Sequence, residues 1–206
     1  YSASAGGCKV YKVAAKDCVM AGWNMLIPYI VPDMPDAQKT ALHALVKSPL
    51  IYCNVALRNW KAFRAAGVER VMVPNGHLSI FNLSQPGNIG AYKTPRTPDE
   101  PMVIRMLRTP GALGMSEDDQ ARMGRMEILQ TTFETFETNA REELDRVLGP
   151  HGFDAKNDIA GIMVNRWPHG YAPEYNGLWH TDYNANNAPN HAARKRFGRL
   201  TVANSD

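Results

Sequence analysis

Aromatic and titratable side chains are concentrated in one stretch near the end of the chain, "VNRWPHGY", which follows an apolar run and contains Trp167, His169 and Tyr171. Tryptophan and tyrosine join an apolar ring to a polar tip, and histidine titrates near neutrality, so these residues could wall a ligand pocket and accept a proton. Pro168 favours an extended backbone before it and Gly170 permits a turn, which predicts that the strand ends here in a sharp bend. The alternative is that the rings pack a long loop against the core, and composition alone leaves both interpretations open.

Side chains that can ligate a metal occur in the same part of the chain. His169, His180, Asp182 and His191 lie within one loop region, and histidine with aspartate can bind zinc. Their spacing matches neither H-x-x-x-H nor H-E-x-x-H, and asparagines are frequent between them. The sequence therefore does not predict a metal site, and a metal-dependent hydrolase that uses His169, His180 and Asp182 is a minor alternative.

Two further catalytic signatures are missing from the sequence. There is neither G-x-G-x-x-G after a strand nor G-x-x-x-x-G-K-[ST], the glycine-rich loops that cradle phosphates. There is also no G-x-S-x-G, the turn that carries the nucleophile of many serine hydrolases. By itself the chain has no nucleotide-binding fingerprint and no serine-hydrolase motif.

The composition is that of a folded protein with one large or two small domains: 206 residues, 44% hydrophobic and 21% charged. The apolar runs are shorter than the roughly 20 residues that a membrane-spanning helix needs. The net charge of +3 and the short basic cluster "ARKRFGR" are too small for a nucleic-acid-binding face. Cys8, Cys18 and Cys53 lack metal-like spacing, and their apolar contexts predict core thiols rather than disulfides.

The elements that must position these residues follow from periodicity and turn signals. The order of strands, helix, strands, long helix and strands predicts a mixed α/β or α+β fold whose sheet is at least partly antiparallel. Ser116 is a good N-cap for the long helix, which we expect to break near Gln130 and to stop at Gly149. The predicted strands cover 8–20 (as a hairpin or two neighbouring strands), 49–60, 70–74, 77–83, 101–109, 158–167 and 199–204, and the first helix covers 36–46.

Three stretches carry a resemblance to a known family. "YKVAAKDCVMAGWNMLIPYIVPDMPDAQKTAL" is similar to a family strand that leads into proline and then a Pro-x-x-Lys-x-x-Ala helix. "FETNAREELDRVLG" followed by "IMVNRWPHGY" is similar to the family's helix and a strand that ends at Trp before Gly-Tyr. "FGRLTVANSD" is similar to the strand that returns to the flavin. The family is the flavin-dependent amine oxidases, and the resemblance is closest to its bacterial spermidine dehydrogenase branch.

The resemblance implies a domain organisation. Residues 1–25 would be strands that return to an FAD-binding Rossmann-like domain, residues 26–165 a substrate-binding domain with a mixed sheet and long helix, and residues 166–206 the active-site turn and last cofactor-facing strand. The glycine-rich dinucleotide fingerprint would belong to an N-terminal part that this chain lacks. It would be supplied by the remainder of the same polypeptide or by a companion chain, in a soluble protein of the bacterial cytoplasm or periplasm.

The resemblance also implies roles for named residues. The cofactor would be FAD, which accepts a hydride from an amine, such as the polyamine spermidine, while the protein orients the substrate. Trp167 would contact both flavin and substrate, and Tyr171 would complete an aromatic wall that holds the amine by cation–π attraction. Glu174 would pair with a distant ammonium, and His169 would be the catalytic proton acceptor. The three polar residues that end the last strand, Asn204, Ser205 and Asp206, would contact the flavin's ribityl and phosphate oxygens.

Each role has a structural alternative. Glu174 could be an exposed loop acid, His169 could donate to a backbone carbonyl, and the final residues could form a plain strand terminus. A different class of function is a cofactor-free module that binds a small molecule or a protein partner through the same pocket.

Overall fold

The computed structural model of the chain describes residues 11–175, 177–178, 180–184 and 186–204. The strands are β1 (Cys18–Met20), β2 (Ser48–Leu57), β3 (Arg70–Met72), β4 (Ile80–Leu83), β5 (Met102–Arg108), β6 (Ile159–Tyr171) and β7 (Leu200–Val202). The α-helices are α1 (Ile27–Ile30), α2 (Asp36–His43), α3 (Lys61–Ala66), α4 (Glu117–Gln130), α5 (Phe133–Leu148), α6 (Ala155–Asp158) and α7 (Pro189–Ala193). The fold is mixed α/β, as the sequence predicts.

The chain divides into two compact units. The larger unit spans residues 46–173 and contains a five-stranded sheet in the order β3-β4-β5-β2-β6. Every neighbouring pair in this sheet is antiparallel, which confirms the expected antiparallel sheet. Alternation along β2 sets its two faces: Ile51, Cys53, Val55 and Leu57 are buried, whereas the residues between them are partly exposed.

Helices α3 and α5 cover the buried face of this sheet. Phe63 from α3 and Leu144 from α5 pack against Cys53, Val55 and their neighbours in one apolar cluster. Burial of this kind stabilises the fold by about 1.5–3 kcal/mol for each large apolar side chain. Burial, reinforced by the charge of Glu143, raises the pKa of the Cys53 thiol to about 12, so Cys53 behaves as the core residue that the sequence predicts.

The long helical region breaks where the sequence predicts, just after Gln130. Ser116 caps α4 by accepting a hydrogen bond from the Asp119 amide at 3.2 Å. Thr131 is extended, and Thr132 then caps α5 by accepting from the Thr135 amide at 3.3 Å. The extended residues Thr131 and Thr132 therefore separate two helices, each of which begins at its own N-cap.

A buried carboxylate ties α5 to the loop before β4. Glu143 is 4% exposed, and both of its carboxylate oxygens lie 3.1 Å from the Leu78 amide nitrogen, which donates to them. Burial raises the pKa of Glu143, while hydrogen bonds from the Leu78 and His77 amides act in the opposite direction. Glu143 therefore satisfies backbone donors that would otherwise be buried without an acceptor.

The smaller unit consists of residues 1–45 and 174–206. Its strands β1 and β7 pair in parallel, with Cys18 opposite Leu200 and Met20 opposite Val202. Buried Gln38 of α2 donates to the Ala193 carbonyl at 2.9 Å, next to an apolar cluster built from α1, α2, α7 and β7. Parallel strands cannot be joined by a tight hairpin, and in this chain residues 46–173 lie between β1 and β7 in sequence.

Three local predictions are wrong. No strand forms over residues 11–17, and Cys18–Met20 pairs with the distant β7 instead of forming a hairpin. Cys18 is exposed rather than buried, since this strand presents it to solvent, whereas Cys8 lies outside the described residues. Helix α2 ends at His43, three residues early, because Leu45 and Val46 leave the helix to enter the core. Within the described ranges, no helix is long and apolar enough to cross a bilayer.

Candidate active-site face

The stretch from Trp167 to Tyr171 is a bulged continuation of β6, so the predicted sharp bend is wrong. Leu50 lies opposite Trp167 and Ser48 lies opposite Tyr171, so four steps along β6 match two steps along β2. The extra residues form a bulge, which bends a strand locally without ending it. Pro168, which has no N–H to donate, is tolerated because β6 is an edge strand of the sheet that the described residues form.

Gly170 serves close packing rather than a turn. A Cβ atom at this position would lie 2.0 Å from Leu50 Cδ2 and 3.0 Å from the Ser48 carbonyl oxygen. Leu50 is 3% exposed, so its side chain fills the space that a larger residue would need. The glycine therefore lets β2 and β6 approach closely at the bulge.

Trp167 and Tyr171 lie on the sheet face opposite the α3 and α5 layer, and each is 51% exposed. The Tyr171 hydroxyl is 2.9 Å from the Tyr52 hydroxyl, and the two form a hydrogen bond across neighbouring strands. The Arg105 guanidinium carbon lies 5.3 Å from the Tyr52 ring centre, within the range of a cation–π interaction. The hydrogen bond to Tyr171, followed by burial, raises the pKa of Tyr52, so the phenol stays protonated at neutral pH.

Strand register extends this face across the whole sheet. Residues directly opposite each other share a face, and the pairs Asn54–Arg105, Asn82–Arg105 and Arg70–Asn82 continue it from β2 to β3. Tyr52 and these polar residues belong to none of the motifs recognised in the sequence. Alternating polar positions in β2 and β5 could have revealed them, but only once the strand pairing was known. We call this surface the open face. Its polar and aromatic members include Tyr52, Asn54, Arg70, Asn82, Arg105, Asn165, Trp167 and Tyr171, and its apolar members include Leu50, Ala56, Met72, Ile80, Val103, Leu107 and Met163.

His169 lies in the bulge itself, next to helix α4. The Arg125 Nε donates to the Pro168 carbonyl at 3.1 Å and so attaches α4 to the bulge. Burial, followed by the positive charges of Arg125 and Lys47, lowers the pKa of His169. The imidazole is therefore neutral at physiological pH, the form that can accept a proton.

The remaining predicted site residues belong to the smaller unit. Glu174 is exposed. The Asn204 Nδ2 donates to the Gly22 carbonyl at 2.6 Å and to Asn24 Oδ1 at 2.5 Å, which fixes the end of β7 to the loop after β1. Ser205 and Asp206, predicted as cofactor contacts, lie outside the described residues.

Aromatic rings gather in the loop before α7. His180 stacks on Tyr183 with ring centres 5.3 Å apart, and Tyr175 meets both rings edge-on. Among the residues that the structure describes, no three His, Cys, Asp or Glu side chains come together as a metal site. His180 is thus part of a packed ring cluster, as in the alternative that aromatic residues pack this loop.

Comparisons with known proteins relate the chain to solved structures of putrescine oxidase. Two structures of putrescine oxidase, the wild type bound to putrescine and a double mutant, each match with a TM-score of 0.57 and 12% identity. A triple mutant of the same enzyme matches with a TM-score of 0.60 and 13% identity. Each match covers 92% of this chain but only 37% of the solved chain. No protein-family profile and no curated protein matches the sequence.

At this level of identity the likeness shows the fold and nothing finer. The fold of the chain resembles that of part of putrescine oxidase, and the chain spans a little over a third of the length of those structures. Fold alone does not assign a reaction, because one fold hosts many functions.

Proposed function

We propose that the chain is part of an FAD-dependent oxidoreductase that oxidises an amine. The observation that carries the proposal is the placement of Trp167 and Tyr171 on the open face of a sheet whose fold matches that of putrescine oxidase. A spermidine-like polyamine as substrate remains a prediction that rests on the resemblance alone.

The aromatic residues of the open face fit a planar aromatic cofactor. Trp167 offers a half-exposed indole against which a ring system could stack, and Tyr52 and Tyr171 add two hydroxyls beside it. In the smaller unit, Asn204 remains a candidate cofactor contact on sequence grounds, and its side-chain Nδ2 already donates to Gly22 and Asn24. Ser205 and Asp206 remain candidate cofactor contacts on sequence grounds.

When bound, the flavin would accept a hydride from the carbon next to the amine nitrogen. The amine must first be neutral, because the nitrogen of an ammonium has no free lone pair to assist loss of the hydride. Neutral His169 is our candidate for the group that accepts this proton, and its lowered pKa keeps it unprotonated near neutral pH. Trp167 and Tyr171 would hold the substrate against the flavin and exclude water, and Glu174 stays a candidate partner for a remote ammonium.

The test uses the purified full-length polypeptide to which these residues belong. It should carry FAD, and an amine should bleach the flavin absorption band under anaerobic conditions without added nicotinamide. Trp167→Ala should slow bleaching by at least about tenfold, the loss of one substantial packing contact, whereas Tyr92→Phe, in an exposed loop, should not. Protein that contains no flavin and cannot be reconstituted with it would refute the proposal.

A further inference from the structure

A row of polar residues crosses the open face from one strand to the next. Arg70 on β3 lies opposite Asn82 on β4, which lies opposite Arg105 on β5, which lies opposite Asn54 on β2. We call these four residues the arginine row. Because opposite residues in an antiparallel sheet point to the same side, two guanidinium groups and two amides line one surface.

The arginine row carries two positive charges. Adjacent strands are about 4.8 Å apart, so Arg70 and Arg105 stand about 10 Å from each other with Asn82 between them. Within the described part of the chain, no ion pair includes Arg70 or Arg105, so neither guanidinium is bound to a carboxylate there. None of the open-face members is acidic. The two guanidinium groups would repel a bound cation and attract a bound anion.

The neighbouring hydroxyls favour the same kind of ligand. In the Tyr52–Tyr171 pair one hydroxyl donates to the other, so one O–H hydrogen remains for a ligand acceptor. Arg105 lies over the Tyr52 ring, which links the tyrosine pair to the arginine row. Guanidinium groups, amides and a phenol are the donors that proteins use to bind carboxylates.

We propose that the arginine row is an oxyanion subsite, and that the amine oxidised on this face carries a carboxylate at its far end. This inference rests on the proposed function for the oxidation step, but not for the binding of the acid. It replaces the spermidine-like polyamine with an amino acid whose amine and acid are separated by a short carbon chain. A second ammonium, as in putrescine, would be repelled by Arg105 and Arg70.

The sharpest test compares two substrates of equal chain length, γ-aminobutyrate and putrescine, which differ in carrying a carboxylate or a second ammonium. We expect wild-type holoprotein to give the higher kcat/KM with γ-aminobutyrate. Arg105→Gln should lower that value by about tenfold or more, mainly through KM, because charge-assisted hydrogen bonds are lost. Arg105→Glu should reverse the preference. Arg64→Gln, an exposed arginine on α3 and so away from the open face, is the matched control and should change neither value.

Binding of butanoate, measured by calorimetry, separates the subsite from the oxidation. Butanoate should bind wild type and bind at least about tenfold more weakly to Arg105→Gln, while butylamine binding should not weaken. If no amine bleaches the flavin but butanoate binding still depends on Arg105, the oxidation fails and the subsite stands. A wild type that prefers putrescine, or butanoate binding that is equal in Arg105→Gln, would overturn the subsite.

Discussion

Replacement of Gly170 by alanine tests whether the bulge in β6 depends on close packing against Leu50. The new methyl group would lie 2.0 Å from Leu50 Cδ2 and 2.9 Å from Leu50 Cγ. Leu50 is buried and cannot swing into solvent, and both strands are held by ladder hydrogen bonds. Overpacking of this kind costs about 1–3 kcal/mol, and we expect Gly170→Ala to destabilise the protein by that amount.

Gly161 on the same strand provides the control. A Cβ atom there would have no neighbour within 4 Å, and Gly161 does not adopt a positive φ. Gly161→Ala should therefore be neutral or stabilise the fold by up to about 1 kcal/mol, since alanine lowers the entropy of the unfolded chain. If the same substitution lowers the free energy of unfolding at Gly170 but not at Gly161, the loss comes from packing and not from backbone propensity.

A double-mutant cycle identifies the neighbour that is responsible. Leu50→Ala alone should cost about 2–5 kcal/mol by leaving a cavity. In that background Gly170→Ala should cost clearly less, because the two nearest atoms, Leu50 Cδ2 and Cγ, are removed and the Ser48 carbonyl oxygen at 3.0 Å is the next nearest. The free energies come from urea unfolding with a shared m-value. If Gly170→Ala costs the same with or without the Leu50 side chain, the packing argument is refuted.

Two further predictions concern buried titratable groups. Glu143→Leu leaves the buried Leu78 amide without its acceptor and should destabilise the fold by about 1–3 kcal/mol. Glu143→Gln keeps an acceptor oxygen and should cost clearly less in the same unfolding assay. Equal losses of stability in the two variants would contradict the hydrogen-bonding role. For His169, the folded-state pKa lies below the ordinary value of 6.5, so the unfolded chain binds the proton first and stability falls as pH drops through 6.5. His169→Gln should reduce this loss between pH 8 and pH 5, and an unchanged slope would count against a buried neutral imidazole.

The sequence predicts helix starts and breaks well, because these depend on residues that are close together in the chain. The N-cap at Ser116 and the break after Gln130 follow from the sequence, because capping needs only a side chain and an amide three residues away. The prediction of a bend at Pro168 and Gly170 also used local rules, and it is wrong. Those residue types are common in turns, yet here β2 supplies a partner strand that keeps them in the sheet.

The open face shows why the sequence predicted only part of the candidate site. Trp167 and Tyr171 were predicted because they stand close together in one motif, whereas Tyr52 is 119 residues from its partner Tyr171. Arg70 and Arg105 become neighbours only through the register of three strands. No spacing rule relates such positions, because they are brought together by the order and register of strands that are far apart in the sequence. A single-residue slip of β5 would move Arg105 to the buried face, so the packing of the core also determines the charge of the open face.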